Sequence, residues 1–585
     1  MITSKNTLWT GYIALSVFTV LYVPYFVPVK PSTSESYIFG YSNFCATILV
    51  LALAAAFAIW SRGFNLDSPG SPFPAKVPAK FLFLSLAIEF SACVIVYLQS
   101  FRSAPAWEGM YIVNRAYLVS LHKRPYIDFE FPWGCAFLYP PNWLAKLFRT
   151  DVVNGYLLYW VLVSLVGIFL LFVAINLLDF PTKRKTTIFL LFSFCAVLEV
   201  PCLGINYSLL RYTLPLIFVL IVHRTIRQSR SELTPGIVAG VLATVFSGIL
   251  MLISPEVTIA HLFACSVLLF PRSSSAPFVR RFGVYIFTLL CFAMIVGLSL
   301  RLHVLDSLFL DGGGGNSFPL AFGPAILSLF AAVVLCACYL ERRRATKEIQ
   351  DNTIALILFA VPMTAASLGR CDPAHIIFNS LGFFIPALCF ASVSPRAWRV
   401  SSALFLIGPV GLFTFIWTLG LLFSLAGPSA GAFPRTLTAI YGETPDDLFE
   451  APFGYLPNAK GFFFSTQVDY GFFFGSSNAN TPRSVSIQIA ELVKHPRRNL
   501  LLPKDYTEGF CEIGERHERI VVSFLTGTPY FGKVAHPQSV RKPLCDYIAE
   551  HYSKSEAATT TNYEYELWKP RAEVVIQMPK QASAP

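Results

Sequence analysis

A succession of apolar stretches, each long enough to cross roughly 30 Å of hydrocarbon as a helix, decides what this chain can become. They fall near residues 8–28, 40–60, 81–98, 154–178, 186–201, 207–223, 234–253, 257–270, 282–300, 318–340, 352–369, 374–393 and 400–426, about thirteen helices. Backbone polar groups find no partner in lipid, so each segment must satisfy them internally as α-helix. Composition agrees. Of 585 residues, 55% are hydrophobic and 14% charged, with a mean hydropathy of +0.57, too apolar for a soluble enzyme. The expected fold is an all-α polytopic membrane protein. Its first segment lacks a cleavage-site pattern and is expected to stay as a helix.

A formal charge of +11 would suit nucleic acid if it formed one patch. Instead Lys and Arg gather in alternate loops, as in Lys183, Arg184 and Lys185, then Arg224, Arg227 and Arg230, then Arg342, Arg343, Arg344 and Lys347. That alternation encodes membrane orientation and argues against a nucleic-acid partner. It sets the N-terminus in the cytoplasm and the tail outside. The outer loops then hold Asp128, Glu130, Glu199, Asn206, Arg211, Glu256, Asp306, Asp311, Arg370, Asp372 and His375. Such a composition suits an anionic, hydroxyl-rich substrate.

The long outer loop, residues 99–153, has three expected parts. Trp107, Met110, Tyr111, Asn114, Tyr117, Leu118 and Leu121 recur at helical spacing, as in an amphipathic helix lying on the interface. Pro125 to Pro132 should be extended and carries Asp128 and Glu130. Gly134 to Phe148 is expected to form a second interfacial helix, interrupted at Pro140 and Pro141. Two acids between membrane-hugging helices can meet a substrate whose lipid part stays in the bilayer.

The stretch PYIDFEFPWGCAFLYPP, an acidic pair in a large outer loop of a many-spanning protein, resembles the GT-C glycosyltransferases, mannosyltransferases among them. The resemblance implies an inverting hexosyl- or pentosyltransferase in the cytoplasmic membrane of a bacterium. Its donor would be a polyprenyl-phosphate sugar and its acceptor a glycan, lipid or protein. Asp128 would be general base toward the acceptor hydroxyl, with Glu130 orienting it or helping to hold a divalent metal ion. Glu256, in LISPEVTIAH, stands where related enzymes often carry a polar or acidic residue at a helix start, and is a third catalytic candidate. Arg370 and His375, in SLGRCDPAHIIFN, would neutralise the lipid phosphate with Asp372 in support, and Arg211, in NYSLLRY, is a further phosphate ligand. The acid loop follows the third helix, so residues 1–80 read as a two-helix addition. Residues 81–426 then form the transmembrane module of about eleven helices.

Plainer roles exist for the same residues. An Asp-x-Glu pair is ordinarily solvated surface, Arg370, Asp372 and His375 can pin a tight turn, Arg211 can snorkel to headgroups, and Glu256 can cap a helix. Glu89, mid-helix, should face the bundle. Asp311 with Gly312 to Gly315 lacks the Gly-Lys-Ser/Thr ending of a nucleotide loop and reads as a lid or hinge. The thirteen cysteines show no zinc spacing; Cys511 and Cys545 lie outside the membrane and can form one disulfide.

Residues 427–585 are expected to form an extracytoplasmic α/β domain. GFFFS at 461 and GFFFG at 471 suggest a hairpin, 520–525 and 573–578 read as strands, and 537–552 ends in a helix. A transporter or lipid-linked glycan flippase is the alternative, and would show internal repeats and helices broken at mid-membrane depth. A non-catalytic scaffold for envelope assembly would leave Asp128 dispensable.

Overall fold

The computed structural model describes residues 2–27, 42–61, 76–100, 133–178, 184–199, 204–228, 234–270, 278–302, 323–346, 352–370, 373–392 and 394–411. Short pieces between 112 and 131, at 180 and at 304–305 are also described, and in the tail residues 462–463, 500–503, 518–519, 533–534, 542–559 and 564–571. The acids Asp128 and Glu130, Asp306, Asp311 and the glycines after it, Asp372, Cys511, and the side chains of Glu199, Arg370 and Cys545 lie outside the described residues. So do the seven residues from Trp107 to Leu121 that mark the first interfacial helix, and the strands expected at 520–525 and 573–578.

The membrane region is a helical bundle. Its helices are α1 (Ile2–Tyr22), α2 (Asn43–Trp60), α3 (Ala79–Ser100), α4 (Tyr139–Leu147), α5 (Val152–Leu177), α6 (Lys185–Glu199), α7 (Leu209–Gln228) and α8 (Thr234–Met251). There follow α9 (Pro255–Leu269), α10 (Phe278–Arg301), α11 (Gly323–Thr346), α12 (Asn352–Arg370), α13 (Pro373–Asn379), α14 (Leu381–Ala391) and α15 (Pro395–Phe405). Each expected apolar run overlaps one of these helices. Among the described residues six helices are long and apolar enough to cross a membrane, or seven if α13 and α14 count as one span. The chain is thus a multi-pass, mainly helical membrane protein.

Capping follows the sequence. Ser42 accepts a hydrogen bond from the Cys45 amide ahead of α2, and Asp151 accepts from the Asn154 amide at 2.8 Å ahead of α5, each satisfying a donor that the first helical turn leaves unpaired. Pro140 and Pro141 do not interrupt a helix. They lie in the first turn of α4, where a missing N–H costs nothing.

α7 is the central helix: 83% of its apolar window is buried, against 17% for α10 at the rim. Helices approach most closely where one presents glycine, as expected where lipid supplies no hydrophobic drive to pack. A Cβ on Gly167 of α5 would lie 2.6 Å from the Leu210 amide nitrogen of α7, and one on Gly382 of α14 2.8 Å from the Leu356 carbonyl oxygen of α12. The N-terminal pair α1 and α2 shares the same core, with Asn43 donating to the Ala365 carbonyl of α12 at 2.9 Å. Glu89 is fully buried, hydrogen-bonded by Ser164 of α5 and by the Cys93 thiol at 3.9 Å.

One end of the bundle is basic. Arg224 and Asn352 both donate to the Leu177 carbonyl, at 3.2 and 2.8 Å. Arg227 reaches the Asn352 side chain at 3.4 Å, Lys185 caps the Leu178 carbonyl, and Arg184 donates to the Ser392 carbonyl at 3.3 Å and lies over Trp398. The basic residues at the start of α6 and in the last turns of α7 therefore meet at one end.

The run expected as one helix over 374–393 is bent by 76° between α13 and α14. Ser380 at the bend shares a 2.7 Å hydrogen bond with Ser367 of α12. In the tail, strands β1 (Phe462–Phe463), β2 (Leu500–Pro503), β5 (Tyr552–Thr559) and β6 (Glu564–Pro570) form a sheet in the order β1-β2-β6-β5, and β3 (Glu518–Arg519) pairs with β4 (Lys533–Val534). The described part of the 461 repeat, β1, pairs in parallel with β2, and the 471 repeat lies outside the described residues. The expected helix is present as α16 (Lys542–His551).

Gly167→Val should force α5 away from α7, an overpacking change that costs about 1–3 kcal/mol. We expect a lower unfolding temperature for the purified protein in detergent. Gly248→Ala, at a glycine with nothing within 4 Å, should not lower it.

Candidate functional site

At the end of the bundle opposite the basic residues, the starts of α7, α9 and α13 converge. A short 3-10 turn, Ile205–Tyr207, leads into α7 and is pinned to α5 by the Ile205 amide donating to the Tyr156 hydroxyl at 3.0 Å. Arg211 follows in the first turn of α7. Its Nη1 donates to the Asn206 carbonyl at 2.7 Å and to the Tyr212 hydroxyl at 3.2 Å, and its Nη2 pairs directly with the Glu256 carboxylate. The arginine side chain is 5% exposed and the glutamate 25%. Arg211 therefore points into the protein rather than toward headgroups.

Glu256 lies in the first turn of α9, where a negative charge is favoured by the helix dipole. Ser254 occupies the N-cap position, but its hydroxyl makes no capping bond. The Tyr212 ring packs parallel to Phe378 of α13 at 5.7 Å. On the same short helix, half-buried His375 meets the Tyr207 hydroxyl through Nε2 at 3.1 Å, the two rings edge to face. The structure thus brings Arg211, Glu256 and His375 into one corner.

The acid loop is sewn to this corner at its base. The Gly134 amide donates to the Ile253 carbonyl at 2.8 Å and the Ala136 amide to the Leu252 carbonyl at 2.7 Å, two residues before α9 begins. A Cβ on Gly134 would lie 2.1 Å from the Leu252 backbone, so only glycine allows this approach. Tyr126 donates from its hydroxyl to the Trp133 carbonyl at 2.6 Å, closing a loop across the segment that carries Asp128 and Glu130. Tyr126 is correspondingly left-handed, with φ 65°, instead of extended as Pro125 to Pro132 were expected to be. Phe131 within that loop is fully buried and packs edge-on against Trp133.

Behind the loop, Asn142 of α4 donates to the Ala116 and Leu138 carbonyls at 2.7 and 2.9 Å, tying the two halves of the outer segment together. Cys135, beside the tether, has its thiol pushed up by burial and is a poor nucleophile. Among the described residues no three His, Cys, Asp or Glu side chains converge as metal ligands. Tyr207, Tyr212, Tyr156 and Gly134 were not singled out from the sequence. The signal for the first two was their place around Arg211 in NYSLLRY.

These features define a multi-pass membrane protein with a polar corner at one bundle end. Comparison with protein-family models, with curated proteins and with solved structures finds no match to this chain.

Gly134→Val should detach the loop from the turn before α9. Hydrogen exchange at the Gly134–Phe137 amides is then expected to speed up at least tenfold, the equivalent of about 1.4 kcal/mol, with exchange in α7 unchanged.

Proposed function

We propose that the protein is a membrane glycosyltransferase of GT-C type, moving a sugar from a polyprenyl-phosphate donor to a glycan, lipid or protein acceptor outside the cytoplasm. The observation that carries this reading is the tether. The loop bearing Asp128 and Glu130 is hydrogen-bonded to the turn before α9, beside the corner that holds Arg211, Glu256 and His375. In the proposed topology about thirteen spans put the N-terminus and the basic end in the cytoplasm. The tail, an α/β domain, lies outside.

In the reaction the Asp128 carboxylate takes the proton of the acceptor hydroxyl. The acceptor oxygen forms a bond to the anomeric carbon from the face opposite the phosphate. The bond from that carbon to the phosphate oxygen breaks, and the lipid phosphate leaves with the electron pair, inverting the centre. Arg370, His375 and Arg211 receive the developing negative charge. Glu130 and Asp372 orient their neighbours, and a divalent ion, if required, would draw on Asp128 and Glu130.

A second reading has an observation of its own. The 76° bend between α13 and α14 is the kind of broken span that transporters and flippases place at a binding site.

Sugar transfer from radiolabelled polyprenyl-phosphate sugars separates the two. Membranes with the native protein should transfer sugar, and Asp128→Asn at equal protein level should lower the rate by about 10²–10⁴-fold, the usual contribution of a general base. Unchanged transfer in the variant would remove Asp128 from its role. No transfer from any donor by the native protein would favour the transporter.

A further inference from the structure

The two members of the Arg211–Glu256 pair differ in how firmly they are held. Arg211 is almost wholly buried and its Nη1 is fixed by a backbone carbonyl and a tyrosine hydroxyl. Glu256 is a quarter exposed, at the mouth of the corner. The guanidinium is thus the permanent fixture and the carboxylate the exchangeable partner. Two further hydroxyls sit at the same corner without a hydrogen-bond partner among the described residues: Ser208 Oγ, in the turn whose carbonyl receives the Arg211 amide, and Ser254 Oγ, at the head of α9. Both serines are at least nine-tenths buried. A buried guanidinium, two unused O–H donors and the N-terminus of a fifteen-residue helix make a corner rich in donors. The Glu256 carboxylate does not take up the two serine donors.

We infer that this corner is a phosphate site and that the Glu256 carboxylate is the placeholder for the phosphate. The inference rests on the proposed function in taking the phosphate to be that of a membrane lipid. The incoming phosphate displaces Glu256 from Nη2 of Arg211, accepts from the Ser208 and Ser254 hydroxyls and faces the amides of the first turn of α9. No covalent bond changes. Glu256 stays beside the bound phosphate as a like charge, which holds affinity below what Arg211 alone would give and lets the spent lipid phosphate leave. Its part is then that of a competitor for Arg211 rather than of an acid or base.

The test is equilibrium binding of a tritiated isoprenyl phosphate to the full-length protein in nanodiscs of neutral lipid, with the matching isoprenol and inorganic phosphate as comparison ligands. The native protein should bind the isoprenyl phosphate and not the isoprenol, with inorganic phosphate competing only weakly. Glu256→Gln, which keeps shape and removes the competitor, should bind the isoprenyl phosphate roughly tenfold tighter. Arg211→Gln combined with Glu256→Gln neutralises both members of the pair together and should lose phosphate binding while remaining monodisperse. Unchanged or weaker binding in Glu256→Gln would overturn the placeholder. Equal binding of isoprenol would overturn the phosphate site, and inorganic phosphate competing as strongly as the lipid would overturn the lipid source. If binding tightens as expected but no sugar is transferred, the phosphate site stands and the transferase reading falls. Transfer without tightening has the reverse meaning.

Discussion

Every polar group that a chain carries into hydrocarbon must find its partner within the protein, and the structure is arranged around that requirement. It dictates helices for the spans, and it also dictates where the few strongly polar side chains go. Glu89 turns inward to Ser164 and Cys93. Lys185, 1% exposed, spends its ammonium on a helix-end carbonyl. Arg211 takes a carbonyl, a phenol and a carboxylate. Removing one partner from a buried pair of this kind typically costs on the order of 3–5 kcal/mol, so these contacts fix which helices may be neighbours.

The two bundle ends solve the requirement differently. At the basic end the cations cap carbonyls at helix termini, a use that neutralises helix dipoles and closes the ends of α5 and α6 against α7, α12 and α14. At the other end the cation faces a carboxylate at a helix N-terminus, where positive potential from Arg211 and from α9 reinforce one another. Among the described residues the second arrangement leaves the Ser208 and Ser254 hydroxyls without a hydrogen-bond partner.

Helix positions were legible because apolar length is a local property, so each expected run overlaps a helix, while among the described residues six or seven helices are long and apolar enough to cross a membrane. Pairing was not local. Arg211 and Glu256 are 45 residues apart, and Tyr207 and His375 are 168 apart; no spacing rule links them, so Arg211, Glu256 and His375 looked like independent candidates and Tyr207 like none. The bend at Ser380 was hidden because the stretch on both sides is mostly apolar, and hydrophobicity carries no information on direction. Tyr126 reads as a strand former, yet its phenol bond to Trp133 makes a left-handed backbone worth keeping. The prolines of α4 misled in the opposite sense: Pro140 and Pro141 break a helix only if it has already begun.

In the lipid-linked transfer proposed above, a rigid corner and a tethered loop would divide the work. The groups around Arg211 sit on helix termini locked by Tyr156, Tyr212 and Phe378, so a charged headgroup would meet donors already in place, without the entropy of ordering them. Among the described residues the acid loop is held by Gly134 and Ala136 on one side and by the Tyr126–Trp133 bond across it, which keeps its base in register with α9. Glycine at 134 is what makes that coupling possible, because any side chain there would push the loop off the backbone of Leu252.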